Sequence, residues 1–201
     1  MNQQRGRRIG EIIETTTLDF MAESLTLHQP PPLGDLVKVN MDRQTYCYGV
    51  VCYGTTSSPD AGRRAVRRSA GGVVDEEVYR EHPQLERLLQ TVFRVQLVAW
   101  RDGNQVRQTL PPSPPPLHHT VYECKGEEAL RVSDDLAYFR LLINASVQTP
   151  SEQVLAAHIR RIYTQRNHDK QWLARAAREC ATLLRNDHDR LMAILSAIDP
   201  R

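Results

Sequence analysis

The chain has 201 residues, 40% hydrophobic and 25% charged, with a formal net charge of +2. That composition is ordinary for a soluble globular protein with one substantial domain or two small ones. The charge is too small for a dedicated nucleic-acid binder, so any electrostatic role must rest on local clusters. No apolar run reaches the roughly 18–20 residues of a membrane span. The polar, basic residues 1–8 are not followed by a signal-peptide core, so a cytoplasmic protein is expected. Cys47, Cys52, Cys124 and Cys180 show no CxxC spacing and are expected to be reduced, buried thiols.

The first half reads as strands. Ile9, Glu11 and Ile13 alternate with Gly10, Ile12 and Glu14 before the bend at Thr15-Thr16-Thr17, with branched side chains throughout. Residues 20–27 form a second run. Pro30-Pro31-Pro32 ends any pairing, because proline has no N–H for the ladder. Gly34 supplies the turn into a third strand, Leu36-Val37-Lys38-Val39-Asn40. In residues 45–53, Tyr46, Tyr48, Val50 and Cys52 share one face, and Cys47, Gly49, Val51 and Tyr53 the other. Both faces are largely apolar, which predicts a central strand, with Gly49 marking a bulge.

Residues 54–74 are loop-like and carry the basic cluster Arg63, Arg64, Arg67 and Arg68. Asp75 is a candidate helix cap, and Leu85, Leu88 and Leu89 have helical spacing after Pro83. Residues 91–100 give the clearest strand of the chain, and Asp102-Gly103 signals a hairpin into residues 106–110. The Pro-rich residues 111–116 read as a stiff polyproline II connector, and residues 121–124 resume the extended pattern. From Ser133 the period becomes helical. Thr149-Pro150-Ser151-Glu152 resembles a capping box, and Leu155, Ile159, Ile162 and Tyr163 line one face beyond it. A second pattern runs through Trp172, Leu173, Ala176, Cys180, Leu183 and Leu184, and either breaks near Asn186-Asp187 or runs on through Leu191, Ile194, Leu195 and Ile198. This tail must bury its apolar stripe on itself, on the barrel or on a partner.

This order of elements resembles the HerA–ATP synthase barrel (HAS barrel). The resemblance rests on the opening strand Ile9-Gly10-Glu11-Ile12-Ile13, the Thr-rich bend, Asp35-Leu36-Val37-Lys38-Val39, Tyr48-Gly49-Val50-Val51, and the Pro-rich approach to residues 118–124. It implies an α+β chain: a small six-stranded-type β-barrel over residues 5–132, interrupted by a loop and helical insertion at 54–90, then C-terminal helices over 133–201. In related proteins the barrel packs neighbouring subunits of ring-forming ATPases. The P-loop of those motors, GxxxxGKS/T, is absent from this sequence, so none of their ATPase chemistry carries over.

The residues offer little catalytic signal. His118-His119 are adjacent and cannot both face one site on a strand. No HxxxH pair and no GxSxG elbow is present, so no enzyme activity, cofactor or metal is expected. The expectation is an interaction module that packs with itself or with a larger complex, its tail docking a protein partner through Trp172, Leu173, Leu183 and Leu184. The alternative is a nucleic-acid-binding accessory of a DNA-processing ATPase, using Arg63, Arg64, Arg67 and Arg68 on phosphates.

Overall fold

The computed structural model describes residues 6–42, 44–60, 66–68, 72 and 74–199. Its strands are β1 (Arg8–Thr15), β2 (Asp19–Ser24), β3 (Leu36–Asn40), β4 (Thr45–Ser57), β5 (Gln90–Asp102), β6 (Gln105–Arg107) and β7 (Thr120–Glu123). They pair antiparallel in the order β2-β1-β7-β3-β4-β5, and a β2–β5 pairing closes these six into a barrel. Closure leaves the six no long free edge to pair with another chain. β6 lies outside the ring, paired with Trp100, Arg101 and Asp102 after a two-residue turn at Gly103-Asn104. Among the described residues there are seven helices: α1 (Glu76–Glu81), α2 (Leu85–Leu88), α3 (Glu127–Val132), α4 (Phe139–Ile143), α5 (Ser151–Gln165), α6 (Lys170–Leu183) and α7 (His188–Ile198). The chain is therefore α+β, and no described helix is long and apolar enough to cross a membrane.

Two cores share the barrel wall. The inner one fills the barrel with Ile12, Phe20, Val39, Val51, Phe93, Leu97 and Val121, each 2% exposed or less. The outer one lies between the wall and the C-terminal helices, joining Leu36, Tyr48, Val50, Cys52, Val98 and Ala99 to Leu142, Leu155, Ile159, Ile162, Trp172 and Ile194. β4 is apolar on both faces because each face borders a core. The register between β4 and β5 shifts at Tyr48/Gly49, where Val98 is the extra residue of β5. Gly49 sits opposite this bulge, and a Cβ there would come within 2.8 Å of the Gln96 carbonyl oxygen. The bulge also changes parity, so Val98 and Ala99 both face the helices while Trp100 turns to the barrel side.

The helical tail breaks where its polar residues are. Asp187 caps α7 by accepting from the Arg190 N–H at 3.3 Å, and Asp169 caps α6 by accepting from Gln171 and Trp172 N–H groups. The start of α5 differs from the capping box expected. The helix begins at Ser151, and no side chain caps it. Ser151 instead donates to the Ile143 carbonyl at 3.0 Å, and Glu152 pairs with Arg190 at 3.4 Å. These groups tie α5 to α4 and α7, a tertiary use that outweighs the local one.

A buried polar relay joins helices to barrel. Gly34, at φ 82, lies so close to α5 that a Cβ would come within 2.5 Å of the His158 backbone nitrogen. His158 is fully buried. Its Nδ1 lies 2.8 Å from the Gly34 carbonyl oxygen and its Nε2 2.7 Å from the Tyr138 hydroxyl. A carbonyl only accepts, so Nδ1 carries the proton and the Tyr138 O–H donates to bare Nε2. Burial drives the imidazole from its ordinary 6.5 down to about 4. The folded chain therefore needs His158 neutral, whereas the unfolded chain protonates it first as pH falls. Its contribution is complete above about pH 6.5 and is lost as pH falls through about 4, on the order of 3 kcal/mol in all. Urea unfolding followed at pH 7.5, 5.5 and 4.5 should show this loss, and His158→Gln should flatten it.

Candidate functional site

The barrel interior is packed with side chains, so concave surface has to be sought outside it. A groove of about 500 Å³ runs along the outer wall where β3, β4 and β5 meet α3. It is lined by Arg7, Lys38, Arg101, Lys125 and Arg131, opposed by Glu123, Glu127 and Glu128, with Tyr46 at its wall. A second groove of about 510 Å³ continues past Lys125 to Asp35, Arg160 and Arg161.

Strand register places the floor. Lys38 pairs across to Tyr48 on β4, and Tyr46 pairs across to Arg101 on β5. All four project outward, on the helix side of the wall. The Lys38 side chain is only 4% exposed, yet ionic, and the Glu128 carboxylate of α3 covers it. Glu128 Oε2 accepts from the Lys38 ammonium, and Oε1 accepts from the Tyr48 hydroxyl at 2.9 Å. Burial first, then the neighbouring Glu128 charge, push the Tyr48 phenol far up, so it stays a donor. The Arg101 guanidinium lies over the Tyr46 ring, 4.4 Å from its centroid. At the rim, Glu123 receives Arg7 and Lys125. Burial raises its carboxyl pKa, but the hydrogen bonds from Arg7 and Lys125 outweigh that and hold it below the usual range. In the second groove Asp35 pairs with Arg161 at 3.1 Å, and burial pushes its carboxyl up against that attraction.

The sequence-derived candidates lie elsewhere. Arg63 and Arg64 fall outside the described residues, and Arg67 and Arg68 are exposed. The tail positions require a correction. Trp172 is fully buried, its indole N–H donating to the Ser133 carbonyl at 2.9 Å and its ring lying 5.2 Å from the Arg166 guanidinium. Leu184 is buried as well, and Leu173 and Leu183 pack half-buried against the same core. The apolar stripe is satisfied within the chain, because α6 packs on α4, α5 and α7, and α4 and α5 in turn cover the outer wall. Lys38 and Glu128 escaped notice, although Lys38 does carry a signal. It shares the outward face of β3 with Leu36, so an ammonium on that apolar face demands an anionic partner.

The chemistry open to this arrangement is ionic recognition. Burial pushes the Cys47 and Cys180 thiols up to about 12 and Cys52 to about 11, with Cys124 raised also, which keeps them protonated and poor nucleophiles. Among the described residues no group of three or more His, Cys, Asp or Glu is placed to hold a metal. No protein-family model matches the chain, and a search of curated proteins finds no significant match.

Glu128→Ala would withdraw one carboxylate from both the Lys38 ammonium and the Tyr48 hydroxyl and should cost about 3 kcal/mol of unfolding free energy. The paired replacement Lys38→Met with Glu128→Leu should recover part of that loss in the same urea titration, because it removes both charges together while the Tyr48 hydroxyl still lacks its acceptor.

Proposed function

We propose that this chain is a non-catalytic interaction module whose barrel packs with copies of itself or with a larger assembly. The observation that carries this reading is the asymmetry of the barrel's cover. Helices bury the outer faces of β3, β4 and the middle of β5, while the β1–β2 side carries no helix in the outer core. Leu18 and Leu25 flank β2 at its two ends and Leu117 precedes β7, and they are 56%, 55% and 51% exposed. Exposed apolar side chains along this flank suit a protein interface. The resemblance of residues 5–132 to the HAS barrel adds support, since that family uses its barrel to pack subunits side by side. In this reading the C-terminal helices buttress the barrel, and the β1–β2 side makes the contact.

Light scattering on the purified chain should give a mass that is a multiple of 23.0 kDa, falling toward the monomer in the Leu18→Ser, Leu25→Ser double variant. A chain that stays monomeric at every concentration, with captured proteins unaffected by the double variant, would sink the reading.

A second reading, a nucleic-acid-binding accessory of a DNA-processing ATPase, draws on the exposed Arg67 and Arg68. It requires affinity for single- or double-stranded DNA that falls steeply with salt and weakens in Arg67→Ala, Arg68→Ala. An absence of binding at low salt would exclude it.

A further inference from the structure

Arg101 has charge to spare. Its side chain is only 19% exposed, and its Nε is buried with no hydrogen-bond partner. The nearest carboxylate oxygen, Glu128 Oε1, is 3.9 Å away, beyond hydrogen-bond distance. That oxygen already accepts from the Tyr48 hydroxyl, while Oε2 is taken by Lys38. Glu128 is therefore committed, and the guanidinium lies over the Tyr46 ring with its buried Nε unanswered. Leaving such donors unpaired in a largely buried setting is costly. A second guanidinium, that of Arg131 three residues along α3 from Glu128, is exposed at the wall of the same groove.

We propose that this groove is an oxyanion-binding site, with the Arg101 fork as its primary receptor and Arg131 closing over the ligand from α3. The Tyr46 ring beneath the guanidinium and the small exposure of the side chain restrict its motion, so paired N–H bonds to one carboxylate or phosphate need little further ordering. Lys38 and Tyr48 hold the two Glu128 oxygens, which keeps that carboxylate beyond hydrogen-bond distance of Arg101. The glutamates among the lining disfavour a continuous polyanion and fit a compact group bearing one or two charges. The source is either a phosphorylated small molecule or a carboxylate presented by a protein partner. The proposal stands whether or not the barrel assembles through its β1–β2 side.

The test is an NMR titration of the arginine Nε–H resonances of the full chain, at constant ionic strength. Inorganic phosphate, pyrophosphate and glutarate are the probes, and chloride is the reference. A saturable shift of the Arg101 resonance is expected with at least one probe. Tighter binding of phosphate or pyrophosphate identifies a phosphorylated ligand, and tighter binding of glutarate a carboxylate. Arg101→Lys keeps the charge and loses the fork, and should weaken binding by about tenfold. Arg101→Met should abolish binding while leaving the melting temperature unchanged or higher, a result a purely structural arginine would not give. Should Arg101→Met fail to fold, the affinity of Arg101→Lys decides between the two. No saturable shift with any of the three probes, or undiminished affinity in Arg101→Lys, overturns the proposal.

Discussion

The wall formed by β3, β4 and β5 has to satisfy two cores at once, and most of the molecule follows from that demand. Val51 and Cys47 fill the barrel, while Tyr48, Val50 and Cys52 on the same strand meet the helices. A wall dry on both sides leaves its backbone groups nowhere to go but the ladder, so pairing must be complete. Closure through β2–β5 meets that need at one end of the sheet. The bulge at Val98, opposite Gly49, lets the wall bend tightly enough to close while still turning Ala99 toward the helices.

The same double burial creates the charged groove. At the margin of the helical cover the outward positions of β3 pass from apolar to ionic, from Leu36 to Lys38, and Glu128 of α3 reaches over Lys38. Charges at such a margin are partly stripped of water but still open to a ligand, where electrostatic recognition is stronger than on a free surface. Glu128 anchors this margin because it answers a buried cation and a buried phenol together. The exposed Arg67 and Arg68 lack that setting and remain hydrated.

The strands were legible because their signals are local. The bounds of β3 match the run Leu36-Val37-Lys38-Val39-Asn40, and the two apolar faces of β4 foretell its central place. The break between α6 and α7 was only half legible: Asn186-Asp187 offers a stop and cap, but the apolar spacing through Leu191, Ile194 and Ile198 suits one continuous helix equally well. The six-residue helix α3 was not legible, since it is too short to show a period. The apolar stripe of α6 was plain, but a stripe does not say what covers it, so Trp172 looked like a partner contact while serving as core. The groove was hidden most deeply. Lys38 and Glu128 stand 90 residues apart, and only the fold brings them together.

The relay from Gly34 through His158 to Tyr138 also bears on the order in which the chain folds. Gly34 and His158 are 124 residues apart, so the turn leading into β3 finds its lasting partner only when α5 arrives. Ring closure has the same long reach, with β2 waiting for β5. Contacts this distant along the chain must overcome loop entropy before they repay it, which makes folding slow for a domain of this size. During synthesis the barrel emerges first, with the apolar outer face of β4 uncovered until α5 follows. The C-terminal helices therefore act as the chain's own late-arriving shield against misassociation, closing apolar strand faces that would otherwise invite a wrong neighbour.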